Sequence, residues 1–334
     1  MTLIIAGYEK NQFSSDGTFF ISDSAITRTI KDSKGDLLEV KTLLNGYRKL
    51  FAYEITVHYP KFDNSGFFER FYEKRNFGKC VVAFAGGKDT AHYILSEIEL
   101  NLRNIKLSFD DNYLINVVNR YNESSLEKNR YLKGWNVDEY NLDSIDHLLT
   151  KEFVSESIRN SIETALASAR EYKLDKSDFD DLKCEFIASI YCRKSSEHFL
   201  YKYTIGLELE YGIYVPQVKM EKVAKNTIAF IGVRKYGEQL IELHEGFISN
   251  PENTVSLSGH YIDIIGEYLD DKDELCSDDW KEMKSPFSYL LSEFMDVVTE
   301  CCNEMNRVID FPVFTLRIDQ GDISLGKFMG GPDE

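Results

Sequence analysis

A threonine in second place and an aspartate set at the end of an apolar strand are the features of this sequence that chemistry could use. Thr2 opens "TLIIAG" directly after Met1, and Asp23 closes "GTFFISD". A threonine hydroxyl is a weak nucleophile at neutral pH and needs a base within hydrogen-bond range. An N-terminal threonine carries one in its own α-amine, whose unperturbed pKa is about 7.7–8.0. Freeing that amine requires loss of Met1, which a residue as small as threonine permits. Strands avoid aspartate, and a carboxylate delivered among apolar residues is costly unless a partner meets it. Without such a partner the same residues make an ordinary edge hairpin. Further on, "VVAFAGGKDT" breaks a strand pattern at Gly86 and Gly87 and opens a helix. Such a turn can aim a backbone N–H and a helix N-terminus at a developing oxyanion, or merely let the chain turn.

The elements that must hold these residues follow from periodicity. Residues 2–7 and 18–24 are β-branched and aromatic, and "NQFSSDG" between them is turn chemistry, so a hairpin is expected. Residues 48–59 and 79–85 read as further strands. "KDTAHYILSEIELNLRN" carries one apolar helical face through Ala91, Ile94, Leu95, Ile98 and Leu102. Residues 105–150 are polar and irregular, with short helical fragments at best. A second amphipathic helix is expected over 151–172, strands over 184–193, 198–206 and 226–232, and a third helix over "RKYGEQLIELHEGF". An acidic surface loop over 268–285 precedes a fourth helix, "PFSYLLSEFMDVVTECCNEMNRV", and "FPVFTLRID" and "ISLGKF" end the pattern as strands. Strand runs separated from helix runs indicate α+β rather than alternating βαβ. Two antiparallel sheets packed together, with a helix pair on each outer face, would bury every amphipathic surface. The absence of repeats and low-complexity linkers favours one elaborated domain over residues 2–334.

With Thr2, "GTFFISDSAIT", "YRKLF" and "VAFAGGKDT" in this order, the chain resembles the proteasome β-subunit branch of the N-terminal-nucleophile hydrolases, including the bacterial proteasome-like peptidases that partner an unfoldase ring. The likeness is clear over about residues 2–102 and looser over 151–245 and 286–327. It implies a four-layer αββα sandwich. It also implies that Thr2 is the nucleophile, that Asp23 orients it, that Lys49 is a buried ammonium paired with Asp23, and that Gly86 supplies the oxyanion N–H. Arg48, Lys41 and Lys31 compete with Lys49 for that place. By the same resemblance Thr27, Ala83 and Gly87 line the substrate site, Thr27 by adding the substrate as an extended strand. The sequence departs from the family where a serine before the third helix is replaced by Val233 in "FIGVRKYG", and where the later Asp-x-x-Ser-Gly region reads "EMNRVIDFPVF", leaving Asn306 or Asp310 in its place. Residues 28–46, 58–78, 105–150 and 268–285 are extra lengths that would block ring stacking or build another assembly.

Composition bounds the rest. A net charge of −17 over 334 residues argues against general nucleic-acid binding and against docking on anionic lipid. No apolar run spans a bilayer and no secretory signal pattern opens the chain, so a cytoplasmic protein is expected. The six cysteines form no C-x-x-C pair and the six histidines are scattered, so buried free thiols, no metal and no cofactor are expected. The expected activity is threonine-type hydrolysis of peptide bonds in a peptide or protein substrate. An amidase acting on a small amide and a non-catalytic scaffold subunit are the alternatives. Self-association is expected through the helices at 89–103 and 151–172, the latter with an apolar stripe of Phe153, Val154, Ile158, Ile162, Ala165, Leu166 and Ala169. An unfoldase partner is implied by the resemblance alone.

Overall fold

The computed structural model describes residues 2–9, 17–31, 37–110, 114–131, 134–135, 147–172, 178–179, 182–249, 286–302, 309–319 and 322–329. In chain order the strands of the first half are β1 (Leu3–Glu9), β2 (Gly17–Ser22), β3 (Ile26–Lys31), β4 (Leu37–Leu44), β5 (Leu50–Phe62) and β6 (Phe68–Gly86). Helix α1 (Lys88–Leu102) leads to β7 (Ile105–Phe109), β8 (Ile115–Val118), α2 (Ser125–Lys128) and α3 (Lys151–Leu166). The second half contains β9 (Cys184–Cys192), β10 (Glu197–Glu210), β11 (Ile213–Lys222), β12 (Ala229–Gly232), α4 (Arg234–Ser249), α5 (Pro286–Cys302), β13 (Val313–Asp319) and β14 (Asp322–Phe328). The class is mixed α+β, dominated by sheet.

Two larger sheets organise the chain. One has five strands in the order β12-β1-β2-β13-β14, the other seven in the order β11-β10-β9-β6-β5-β7-β8. Alternation along each strand sorts side chains into separate cores. Ile4, Ala6 and Phe20 of the five-stranded sheet meet Leu50, Val81, Ala83, Ala85, Ile187 and Leu200 of the seven-stranded sheet. The opposite side chains, Leu3, Ile5, Phe19 and Ile21, pack with Tyr236 and Leu240 of α4 and with Phe287, Leu290, Phe294 and Val298 of α5. The other face of the seven-stranded sheet packs on α1 and α3 through Ile94, Ile98, Val154, Ile158 and Ile162. Buried Asn101 ties these two helices, its Nδ2 donating to the Ser157 carbonyl at 2.8 Å.

Several sequence expectations are revised. Of the stripe on the 151–172 helix, Val154, Ile158, Ile162, Ala165 and Leu166 are buried against the sheet and α1, while Phe153 and Ala169 are half-buried. That helix is α-helical only to Leu166 and tightens to a 3-10 helix over Ala167–Tyr172. The stretch 105–150 is not merely irregular, since β7 joins β5 in parallel and β8 extends the same sheet. The extra length at 58–78 is the outer part of the long β5–β6 hairpin, and that at 28–46 forms the separate β3–β4 pair. Strand β11 has its period masked by Pro216 and the "KMEK" charges, yet its whole length pairs with β10 from Tyr201 to Glu210 at a sheet edge, where proline is tolerated. The 268–285 loop, Asn306 and Cys276 lie outside the described residues. No described helix is long and apolar enough to cross a membrane.

Phe294 is fully buried at the centre of the α5 contact. Phe294→Ala should cost about 3–5 kcal/mol. Urea unfolding should show a lower midpoint at unchanged slope.

Candidate functional site

The site begins with strand register. Ile4 of β1 lies opposite Ser22, the last residue of β2, so Asp23, which follows it, arrives across from Leu3. The Asp23 N–H donates to the Leu3 carbonyl at 3.1 Å, and the Leu3 N–H donates back to Asp23 Oδ1 at 2.8 Å. The Ala25 N–H donates to Oδ2 at 3.0 Å. Lys49, immediately before β5, brings its Nζ to 2.9 and 3.0 Å from the two carboxylate oxygens. Asp23 is 0% and Lys49 3% exposed. Thr2, half-buried, is thereby one residue from a fully enclosed ion pair.

Burial pushes the Asp23 carboxyl up and the Lys49 ammonium down, and the charge and hydrogen bonds of each partner oppose that push. Four hydrogen bonds on one carboxylate, from two backbone N–H groups and the ammonium, keep the ionised pair in place. Lys49 is the cation that reaches Asp23. Of its sequence competitors, Arg48 is exposed, Lys41 is exposed on β4, and the side chain of Lys31 lies outside the described residues.

On its other side β1 meets β12, with Leu3 opposite Gly232. The Val233 N–H donates to the Thr2 carbonyl at 2.8 Å. Gly232 has φ +98°, and a Cβ there would stand 1.7 Å from the Thr2 carbonyl oxygen, so the residue must be glycine for β12 to approach so closely. Gly86 ends β6 with φ +119°, and a Cβ on it would meet the Lys183 carbonyl oxygen at 2.3 Å. The adjoining N-terminus of α1 has no side-chain cap, so its first N–H groups keep their positive end of the helix dipole.

The other site residues expected from the sequence are placed as follows. Thr27 is half-buried on β3, opposite Thr42 of β4. Ala83 is fully buried between the two sheets and presents nothing to a cleft. The Gly87 N–H donates to the Lys183 carbonyl at 3.3 Å, and its carbonyl accepts from Ala91 N–H and the Cys184 thiol. The structure therefore brings Thr2, Asp23 and Lys49 together and leaves Ala83 out. Val233 contributes its backbone to Thr2 but no polar side chain. The Asp310 carboxylate accepts from Phe311 N–H and the Cys302 thiol, while its carbonyl accepts from Ser24 N–H.

Sequence reasoning passed over other neighbours. Ser24 ties the base of the β3–β4 excursion, its Oγ accepting from Gly46 N–H at 3.0 Å and its carbonyl from Tyr47 N–H at 3.1 Å. Tyr47 contacts His92 through its hydroxyl and, with Phe51 and Phe84, forms an aromatic wall beside Lys49. Glu185 accepts from Gly232 N–H at 2.9 Å. Its signal was visible, as the one charged residue inside "CEFIASIYC". A cysteine nucleophile is disfavoured here, because burial pushes the Cys184 thiol up to about 12. Among the described residues no group of three His, Cys, Asp or Glu side chains could hold a metal ion. No family model matches the chain, and no curated protein matches it.

Lys49→Met leaves the Asp23 carboxylate enclosed with its two backbone donors only. The variant should lose about 3–5 kcal/mol at neutral pH. Without the ammonium the folded carboxyl rises further above its unfolded value of about 3.9, so the penalty is complete above the folded pKa and absent below the unfolded one. The gap in urea midpoint between variant and wild type should therefore narrow on acidification from neutral pH towards about 4. A gap that widens would show that the carboxylate is not buried as described.

Proposed function

We propose that the chain is an N-terminal-nucleophile hydrolase that cleaves peptide bonds through Thr2 once Met1 is removed. The observation that carries the reading is the enclosed Asp23–Lys49 pair hydrogen-bonded to the backbone of the residue after Thr2. An enclosed charge pair is rarely the cheapest way to stabilise a core, and enclosed ionisable groups beside a candidate nucleophile are what acid–base chemistry uses. On this reading the two sheets and the helices packed on their outer faces form the four-layer αββα sandwich expected from the sequence. The three separate apolar cores support that arrangement.

The chemistry balances without a cofactor. Thr2 Oγ attacks the amide carbonyl carbon while the α-amine takes the hydroxyl proton. The oxyanion is held by the Gly86 N–H and the uncapped N-terminus of α1. Collapse breaks the C–N bond, and the α-ammonium returns the proton to the departing amine. Water, deprotonated by the same amine, then hydrolyses the ester on Thr2 Oγ. The Lys49 ammonium favours the anionic character that develops on Oγ. Thr27, on a strand joined to neither larger sheet, offers an edge along which an extended peptide can lie.

A homo-oligomer belongs to the same proposal. The outward face of α1 carries Asp89, Tyr93, Ser96 and Leu100, all exposed, and exposed Arg103, paired with Glu99, follows directly as its C-cap, so an acid stands at one end and a base just past the other. Two copies laid antiparallel about Ser96 would match Asp89 with Arg103 and Tyr93 with Leu100, the self-complementarity a two-fold interface needs. Light scattering at physiological salt should give a multiple of the monomer mass, reduced by Leu100→Glu. A monomer mass throughout would remove this part of the proposal.

Intact mass should show loss of Met1, and a β-lactone probe should add to Thr2. Thr2→Ala should abolish hydrolysis with unchanged thermal unfolding, since the side chain is small and packs little. Undiminished turnover in that variant would discard the mechanism.

A further inference from the structure

Two charge pairs flank the start of β1 from opposite sides. Asp23 and Lys49 reach it from the β2 side, and Glu185 and Lys202 reach it from the β12 side. Glu185 stands on β9, paired with Ala85 and so one residue from Gly86. Its neighbours on the same face, Ile187 and Ser189, point between the sheets. From there the Glu185 carboxylate crosses to the other sheet, where Oε2 accepts from Gly232 N–H at 2.9 Å. Lys202 accompanies it, with Nζ 4.0 Å from Oε1 and 2.8 Å from the Phe230 carbonyl oxygen. The pair thus captures two edge groups of β12, the Phe230 carbonyl and the Gly232 N–H, just before Val233 N–H meets the Thr2 carbonyl.

The two carboxylates differ in what they have left to offer. Asp23 already accepts four hydrogen bonds, one from each of two backbone N–H groups and two from the ammonium, which reaches both oxygens. Among the described residues Glu185 Oε1 has only Lys202 at 4.0 Å, beyond hydrogen-bond length, and Glu185 is 27% exposed. Val233 adds no polar side chain. Of these two carboxylates, Glu185 is therefore the one with acceptor capacity left.

We propose that Glu185 is a positioning residue for Thr2: it locks the end of β12 so that Val233 holds the Thr2 carbonyl, and it supplies the carboxylate that steadies the α-amine in its protonated form. Lys202 limits that effect by drawing on the same carboxylate. The proposal rests on the reading of Thr2 as nucleophile but is testable apart from it. Among the described residues, Asp23 and Lys49 are already paired with each other, the Asp310 carboxylate beside Ser24 accepts from Phe311 N–H and the Cys302 thiol, and Lys183 and Arg234 at the adjoining chain ends are exposed.

The test uses the full chain with Thr2 exposed as its first residue. The pKa of the α-amine is read by competitive acetylation across pH with mass detection, which needs no enzymatic activity. Glu185→Gln keeps an oxygen for Gly232 N–H and removes the charge. It should lower the amine pKa by about one unit at unchanged unfolding midpoint. Lys202→Met should move the amine pKa upward, which keeps the idea open to refutation if the glutamine variant fails to fold. Glu185→Asp should fall between wild type and Glu185→Gln. Equal amine pKa values in wild type and Glu185→Gln, or no rise in Lys202→Met, would overturn the role of Glu185. A β-lactone adduct on Thr2 separately reports the nucleophile: its absence would reject that reading, while the amine shift would still decide Glu185.

Discussion

Enclosing an aspartate and a lysine together is the constraint from which much of the structure follows. Each charge alone would cost several kcal/mol to bury, so neither can be placed unless the other is brought to it. Asp23 comes from the end of β2 and Lys49 from the start of β5, in different sheets. Their meeting therefore requires the sheets to face one another at that point. It also fixes β1, because the remaining acceptor capacity of the carboxylate is taken by Leu3 and Ala25 N–H. The chain between the two residues can then be long without disturbing them. The β3–β4 excursion leaves beside Asp23, returns beside Lys49, and has its two ends fastened by Ser24.

The same end of the molecule depends on two close backbone approaches. Gly232 lets β12 press on the Thr2 carbonyl, and Gly86 lets β6 press on the chain at Lys183. Both positions have left-handed backbone conformations that other residues adopt at a cost of about 1–3 kcal/mol, and both would place a Cβ inside a neighbour. The result is a corner where backbone groups of β1, β6, β9 and β12 converge with little side-chain bulk between them. Polar groups there face a partly enclosed, low-dielectric setting in which charge and orientation count for more than on the surface.

The extra lengths of chain satisfy their own apolar demand. Phe68 from the β5–β6 hairpin, Phe109 from β7, Leu126 from α2 and Trp135 form a small cluster of their own. The Phe109 and Trp135 rings stack at 4.9 Å, and Trp135 N–H donates to the Gly66 carbonyl. A satellite core of this kind explains how long segments are carried at one end of a sheet while the register at the other end is kept.

What the sequence determined by itself is local. β-Branched and aromatic residues in "LIIAGYE" and "GTFFIS", with turn chemistry between them, specify a hairpin, the apolar period of "KDTAHYILSEIELNL" specifies a helix, and an aspartate among phenylalanines and isoleucines demands a buried partner. Those rules act over a few residues and need no knowledge of the rest. They failed where the period was masked, as in β11 with its proline and charges, and where strands borrowed their stability from a neighbour, as in β7 beside β5. The buried aspartate was legible in its strand pattern, but Lys49 was named as its partner only through the resemblance, with Arg48, Lys41 and Lys31 in competition, and the structure is what places Lys49 Nζ on the carboxylate. Glu185 stood out as the one charge in its strand, but its pairing with Lys202 was not legible, since only the packing of one sheet on the other brings them to Gly232. Which face a helix stripe serves was likewise undecidable: Ile158 and Ile162 would look the same against a sheet or a second subunit. Only the tertiary structure, by burying them on α1 and the seven-stranded sheet, assigned them to the core, because burial is a property of what lies opposite and not of the residue itself.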